Sequence, residues 1–372
     1  MKKILFISNI SNKITNFVIP SIEASQKLGY EFHFAANCTG AIDDASKYNI
    51  TIHHIDLERN PFNSKNIEAY RQMLTLMEDE SFDVIHCNTP IGGILGRVCG
   101  KKAKVPKIIY TAHGFHFYKG APLVNKTLFK WAEMNMAHYT DALITMNNED
   151  YNAAQKFKLR NNGNIYFVPG VGVDTKQFRI DSVDSAGLKN SLGLMENDTI
   201  LIAMGDLIAR KNYGASIKAI AKARNKNLKF LICGKGPELD SLKKLASKMN
   251  LENQIHFLGF RKDIKELLTI ADIFLFSSYQ EGLPRSMMEA MSAGLPCIAS
   301  EVRGNVDLIE EGKGGYLCKP DDIEEFARTI NLVSEDSKMR RKMGRSNLET
   351  IKKFDVDNVK KEMKKIYENE LL

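Results

Sequence analysis

Two doubly wound α/β domains, each a parallel sheet covered by helices on both faces, are what this sequence predicts. Thirteen short apolar runs bounded by turn residues recur along the chain, and segments with helical spacing lie between most of them. Glycines and Pro169 then interrupt the alternation midway, just after Val168. Strands that are apolar throughout and alternate with helices belong to parallel sheets buried on both sides. Thirteen strands exceed one ordinary sheet, and 372 residues are enough for two cores.

The strands of the first half read KILFIS, EFHFAA, IHHIDL, FDVIHC, KIIYTAHG, ALITMN and IYFVPG. Those of the second half read ILIAMGD, KFLICGKG, IHFLGF, DIFLFSS, PCIAS and the shorter GYLC. Helical spacing is plain in GASIKAIAKA and KELLTIADI. The junction VPGVGVDTKQF is followed by a polar stretch, which places one domain at 1–170 and a second at 171–354. Residues 355–372 form a last helix whose Val359, Met363 and Ile366 recur at helical spacing and need a surface to dock on.

Composition narrows the class. With 44% apolar and 26% charged residues, the chain reads as an ordinary globular protein. The apolar run in MKKILFISNI is too short for a signal peptide core, and no run is long enough to span a membrane. The six cysteines are scattered without paired spacing, as reduced thiols of a cytoplasmic protein are. Net charge is a mild +7, but from Arg97 to Trp131 there are eight Lys/Arg and no Asp or Glu. Phe115, Phe117, Tyr118, Phe129 and Trp131 lie among them. The block reads either as a solvated basic face or as a surface for phosphate head groups, and no nucleic-acid motif accompanies it. Phe129 and Trp131, at near-helical spacing, read as core residues more readily than as membrane anchors.

In open parallel sheets ligands bind beyond the carboxyl ends of the strands, and two such domains facing a central cleft would place the site there. Four strand-end segments of the second half are therefore of interest. EGLPRSMMEAMSAGLP puts Glu281 in a loop and Glu289 about a turn and a half inside a helix. That helix start offers free N–H groups to a diphosphate, and a carboxylate suits vicinal sugar hydroxyls. GDLIARKNY brings Arg210 and Lys211 beside a glycine turn, a pair of cations for a diphosphate leaving group. CGKGPE is a weaker glycine pattern, and FLGFRKDI offers Arg261 to a flat base.

These segments, with YTAHGFHFYKGAPL and VPGVGVD, occur in the order found in the family 4 retaining glycosyltransferases of the GT-B fold, which the sequence resembles over roughly residues 82–318. TAHGFHFYKG, PGVGVD, EGLPRS and VRGN look most like the bacterial sugar transferases of capsule, exopolysaccharide or O-antigen synthesis. The resemblance implies that Glu281 binds donor-sugar hydroxyls, with Gly282, Leu283 and Arg285 nearby as backbone donors. Glu289 would hold the ribose, Lys211 the diphosphate, and Phe260 and Arg261 would border the base. Gly205, Arg210 and Gly234 fall on the same donor side, and His113 matches the histidine beside the transferring sugar. Asn9, Asn16, His86 and His116 are the candidate acceptor contacts, with His86, at a strand end, placed equally well for the core.

The implied donor is a nucleoside diphosphate sugar, uridine-linked, and the implied acceptor a lipid-linked or growing saccharide at the inner membrane face, with peripheral contact to anionic lipid. The family's last helix crosses back to the first domain. Asp206 stands where the family has arginine, so Arg210 becomes the second phosphate cation; Pro284 removes one loop N–H; and SNISNKITN lacks the common glycine pair.

No metal or cofactor is expected. His113 and His116 lack ligand partners at matching spacing, and Asp355-Val-Asp357 reads as a helix cap. Rival readings are a nucleotide-sugar epimerase of the same fold and a non-catalytic nucleotide-sugar-binding protein. A dinucleotide oxidoreductase is disfavoured, since no G-x-G-x-x-G follows the first strand.

Overall fold

The computed structural model describes residues 1–38, 40, 42, 45–179 and 183–372. They form two compact units: Met1–Gly172 with Val356–Leu372, and Val173–Asp355.

In the first unit, β1 (Lys2–Ile10), β2 (Tyr30–Asn37), β3 (Thr51–His54), β4 (Val84–Asn88), β5 (Lys107–Ala112), β6 (Ala142–Thr145) and β7 (Asn164–Phe167) make one sheet. Its order is β3-β2-β1-β4-β5-β6-β7, with every pairing parallel. Alternation along β1 explains the layers, because successive side chains point to opposite faces. Leu5 and Ile7 join Met73, Met77 and Cys99 under the helices Lys65–Glu80 and Pro90–Lys102. Ile4 and Phe6 join Ile22, Val359, Met363 and Ile366 under the helices Ile19–Lys27 and Val356–Leu371. The terminal helix thus docks on the first unit. Its Glu370 accepts hydrogen bonds from Lys107 (2.9 Å), Asn164 (2.7 Å) and Tyr166 (2.7 Å).

The second unit repeats the plan with β8 (Thr199–Met204), β9 (Leu228–Cys233), β10 (Ile255–Gly259), β11 (Ile273–Phe276), β12 (Cys297–Ser300) and β13 (Gly315–Cys318). The order is β10-β9-β8-β11-β12-β13, again all parallel. Ile200 and Ile202 pack with Met287, Met288 and Met291 of the helix Arg285–Ser292, while Leu201 and Ala203 face the helices Tyr213–Ala223 and Ile323–Glu335. Each sheet therefore has one point where the strand order reverses, between β1 and β4 and between β8 and β11.

Several expectations for single residues change. Arg97 is buried, with its Nε on the Gly93 carbonyl (2.8 Å) and a terminal nitrogen on Glu133 (3.0 Å). Its guanidinium lies 3.8 Å from the Tyr110 ring centre, so Arg97 is a core cation and not part of a basic surface. Trp131, expected in the core, is 63% exposed, and Phe129 is partly buried against the His116 ring (5.2 Å). Asp355 does more than head the last helix, since its carboxylate accepts from the backbone N–H and hydroxyl of Thr175. All six cysteines are unpaired, and no helix among the described residues is long and apolar enough to cross a membrane.

Candidate active site

The reversal between β8 and β11 sets the loops GDLIARKNY and YQEGLP side by side. Lys211 Nζ donates to Glu281 Oε1 at 2.9 Å, and Arg210 approaches the same oxygen at 3.3 Å. Glu281 is 6% exposed and the Lys211 side chain 12%. The ammonium also lies 4.5 Å from the Phe276 ring centre at the end of β11. One carboxylate thus answers two cations. A buried ion pair of this kind is electrostatically strong but has lost water, so an incoming anion that satisfies both cations competes well.

Neighbouring loops brace this cluster. Arg303, 5% exposed and following β12, donates from Nε to the Glu281 carbonyl at 3.0 Å. Gly304 adopts φ +81°, and a Cβ there would stand 2.2 Å from the Gly282 carbonyl oxygen. The EVRGN turn therefore fits flush beneath the EGLP loop, a role the sequence signalled only by its glycine. On the other side Gly205 and Gly234 pack backbone to backbone. Leu207 donates to the Lys235 carbonyl (2.9 Å), and a Cβ on Gly234 would meet the Gly205 oxygen at 1.9 Å. The weak GKGPE pattern is thus a close-packing requirement of the loop that carries Lys211.

Beyond the loop, Pro284 precedes the helix Arg285–Ser292, and no side chain caps its first N–H groups. Gly282 and Leu283 are partly buried at its entrance. Glu289, on the second turn, pairs with Arg285 at 2.9 Å. Burial raises its pKa above the ordinary carboxylate value, an effect that Arg285 opposes. Phe260 is 68% exposed past β10, and Arg261 is held by Asp263 (Nε to Oδ1, 2.7 Å). The second unit thus brings Gly205, Arg210, Lys211, Gly234, Glu281, Gly282, Leu283, Arg285 and Glu289 to neighbouring strand-end loops and the helix that follows β11, with Phe260 and Arg261 at the β10 edge.

In the first unit the reversal lies between β1 and β4, and its chemistry is neutral. Asn9 Oδ1 accepts from the Gly92 N–H (2.8 Å) and the Thr89 hydroxyl (2.7 Å), capping the helix Pro90–Lys102 from across the sheet. Thr89 adopts φ +65°, unusual for a β-branched residue. His113, after β5, is partly exposed, stacks on Phe17 (4.4 Å) and meets Asn88 Oδ1 through Nε2 (3.1 Å). Burial lowers its pKa to about 4, so the ring is neutral. Asn16 sits partly exposed in the turn before the helix Ile19–Lys27.

Of the two places open to His86, the structure gives it the core. It is 1% exposed, with Nδ1 on the Tyr367 hydroxyl (2.7 Å) and Nε2 on the Thr111 hydroxyl (2.7 Å). Both ring nitrogens are used inside the core, and burial pushes the pKa down to about 3. It has nothing left to offer an acceptor. His116 is spent differently: its ring stacks on Phe129, and its carbonyl takes the Asn125 amide (2.9 Å). Among the described residues no cluster of three or more His, Cys, Asp or Glu could hold a metal ion.

Both units resemble known glycosyltransferases. Residues 184–350 match the model of "Glycosyl transferases group 1", and residues 3–148 match "Glycosyl transferase 4-like". The chain is 34% identical over 372 residues to "Putative glycosyltransferase EpsD" of Bacillus subtilis, covering 98% of this chain and 96% of that protein. It is 32% identical over 278 residues to the Escherichia coli UDP-Gal:alpha-D-GlcNAc-diphosphoundecaprenol alpha-1,3-galactosyltransferase, covering 73% and 71% of the two chains. The crystal structure of Anabaena HepE in complex with UDP and glucose superposes with a TM-score of 0.81 at 21% identity, over 99% of this chain and 100% of that one.

Proposed function

The chain belongs to the glycosyltransferases of group 1, the family 4 enzymes with the GT-B fold, and from that premise we propose its reaction. It moves a hexose or N-acetylhexosamine from a uridine diphosphate sugar to a lipid-linked saccharide acceptor at the inner membrane face. Configuration at the transferred carbon is retained, and no metal ion is used. The product is a building unit of a bacterial surface polysaccharide. The names of the relatives support the choice of acceptor, since the Escherichia coli protein's substrate is carried on diphosphoundecaprenol.

The observation that carries this reading is the cluster of Lys211, Arg210 and Glu281 at the β8/β11 reversal. A diphosphate arriving there takes Lys211 and Arg210 as its counter-charges and extends to the uncapped helix start at Arg285. Glu281, released from the cations, turns to the hydroxyls of the donor sugar. Glu289 faces the ribose. As the bond from the sugar carbon to the phosphate oxygen breaks, negative charge grows on the diphosphate, where Lys211 stabilises it most. The acceptor oxygen bonds to the sugar carbon from the same face and gives its proton to the leaving phosphate oxygen. His113, neutral, serves as a hydrogen-bonding group beside the sugar.

A mass-spectrometric screen of uridine, guanosine and thymidine diphosphate sugars against lipid-linked acceptors, run in chelator, tests the reading. Transfer from a uridine donor with retained anomeric configuration is expected. Failure to transfer or hydrolyse any nucleotide sugar would sink it, and a strict need for a divalent ion would overturn the role given to the two cations.

A further inference from the structure

Asn212 follows Lys211 directly and stands in the left-handed region at φ +50°. On one side of it the 3-10 turn Ala209–Lys211 ends, and on the other the helix Tyr213–Ala223 begins. A left-handed residue between a turn and a helix sets the angle at which the two meet. It therefore also sets where the side chain just before it points. Glycine takes this conformation freely and asparagine routinely, whereas alanine does so only with its Cβ pressed toward the following carbonyl oxygen.

The left-handed link is held from outside. The Asn212 carbonyl accepts from the Ala215 N–H (3.0 Å) and from the Ser277 hydroxyl (2.7 Å), and its side-chain amide donates to the Pro320 carbonyl (3.1 Å). Ser277 is buried, and its oxygen also lies 2.7 Å from the hydroxyl of buried Ser216. A carbonyl can only accept, so Ser277 spends its one proton on Asn212, and Ser216 donates to Ser277. Before Lys211, the Arg210 carbonyl accepts from the Tyr279 N–H (2.9 Å). The carbonyls on both sides of Lys211 are thus fastened to the segment leaving β11, which also carries Glu281.

We propose that Asn212 is the positioning residue of Lys211, with Ser277 as its clamp. The left-handed link fixes the turn so that the Lys211 ammonium lies at the strand end, beside Glu281 and the Phe276 ring. The inference rests on the reading of Lys211 as the cation of the donor diphosphate. A lysine ammonium sits on a flexible four-carbon stem, so a tilt at the backbone displaces it, and a shift of about 1 Å is enough to lose much of its effect. Asn212 and Ser277 act only through Lys211.

Calorimetry with UDP on the full chain tests this, since UDP carries the diphosphate charge that Lys211 would answer. Asn212→Ala should weaken UDP binding about ten-fold. Asn212→Gly keeps the left-handed link and should stay within about two-fold of the unsubstituted chain. In a Lys211→Ala background the two substitutions at 212 should bind UDP alike, which a merely structural role would not bring about. Ser277→Ala should also weaken UDP several-fold, and again only while Lys211 is present. It keeps Asn212 itself, so it carries the test if Asn212→Ala does not fold. Losses that add in full to that of Lys211→Ala would overturn this inference alone, as would Asn212→Gly binding as weakly as Asn212→Ala. A Lys211→Ala chain that binds UDP as well as the unsubstituted one would instead overturn the role given to Lys211, and this inference with it.

Discussion

Where the strand order reverses between β1 and β4, the loops meet through neutral groups: Asn9 accepts from Thr89 and Gly92, and His113 leans on Asn88. Where it reverses between β8 and β11, they meet through Lys211, Arg210 and Glu281. The topology is the same and the chemistry is opposite. The first unit does hold a buried cation, but Arg97 is enclosed by the Gly93 carbonyl, Glu133 and the Tyr110 ring. Among the described residues Lys211 has one hydrogen-bonding partner for three donors, and that partner is shared with Arg210. A cation sealed in the core, with a carbonyl, a carboxylate and a ring face around it, holds a fold together. One that is under-answered at a strand end can change partners, and a diphosphate needs such a cation.

The largest effects should separate these two cations. Arg97→Ala leaves the carboxylate of Glu133 without its counter-charge and is expected to cost about 3–5 kcal/mol of stability. Lys211→Ala should lower turnover about 100- to 1,000-fold, near 2.7–4 kcal/mol, with a smaller loss of stability, because Arg210 still answers Glu281. Denaturant unfolding and steady-state kinetics on both variants check the contrast. Equal losses of stability would erase it.

The carboxylates sharpen the picture at about 1.5–3 kcal/mol, the value of a charged hydrogen bond. Glu289→Gln should weaken UDP and intact donor alike. Glu281→Gln should lower turnover and blur the preference between sugar epimers, yet bind UDP as well as before or more tightly, because Lys211 is then free. Calorimetry with UDP decides, and UDP binding that weakens equally in both variants would show that Glu281 does not compete with the diphosphate.

The smallest expected effect concerns acid. Seven of the eight histidines lie in the first unit. His86 stays neutral in the folded chain down to about pH 3 but takes a proton when unfolded below its ordinary value of 6.5. The unfolded state then binds more protons, so stability falls as pH falls. From His86 alone the loss reaches about 1.4 kcal/mol one unit below that value. Hydrogen exchange at pH 7.5 and 5.5, corrected for intrinsic rates, should show protection lost mainly from the first unit. A greater loss from the second unit would contradict this.

Periodicity alone determined the strands. Apolar runs such as KILFIS and ILIAMGD can be buried on both faces only in parallel sheets, and turn residues mark where each run stops. The strand-end loops of the second unit were legible for the same reason, since each follows a run directly. Partnerships were not legible. Lys211 meets Glu281 only because β8 and β11 are neighbours, and local spacing carries no trace of a pairing 70 residues apart. His86 looked like a strand-end ligand until Tyr367 and Thr111 took both its nitrogens, one of them from a helix 281 residues away. Arg97 and Trp131 belonged to one basic aromatic block in the sequence, yet one is sealed in the core and the other stands in solvent. Helical spacing says which residues share a face. Which face turns inward is decided by what lies beneath it, here Tyr110 and the carboxylate of Glu133.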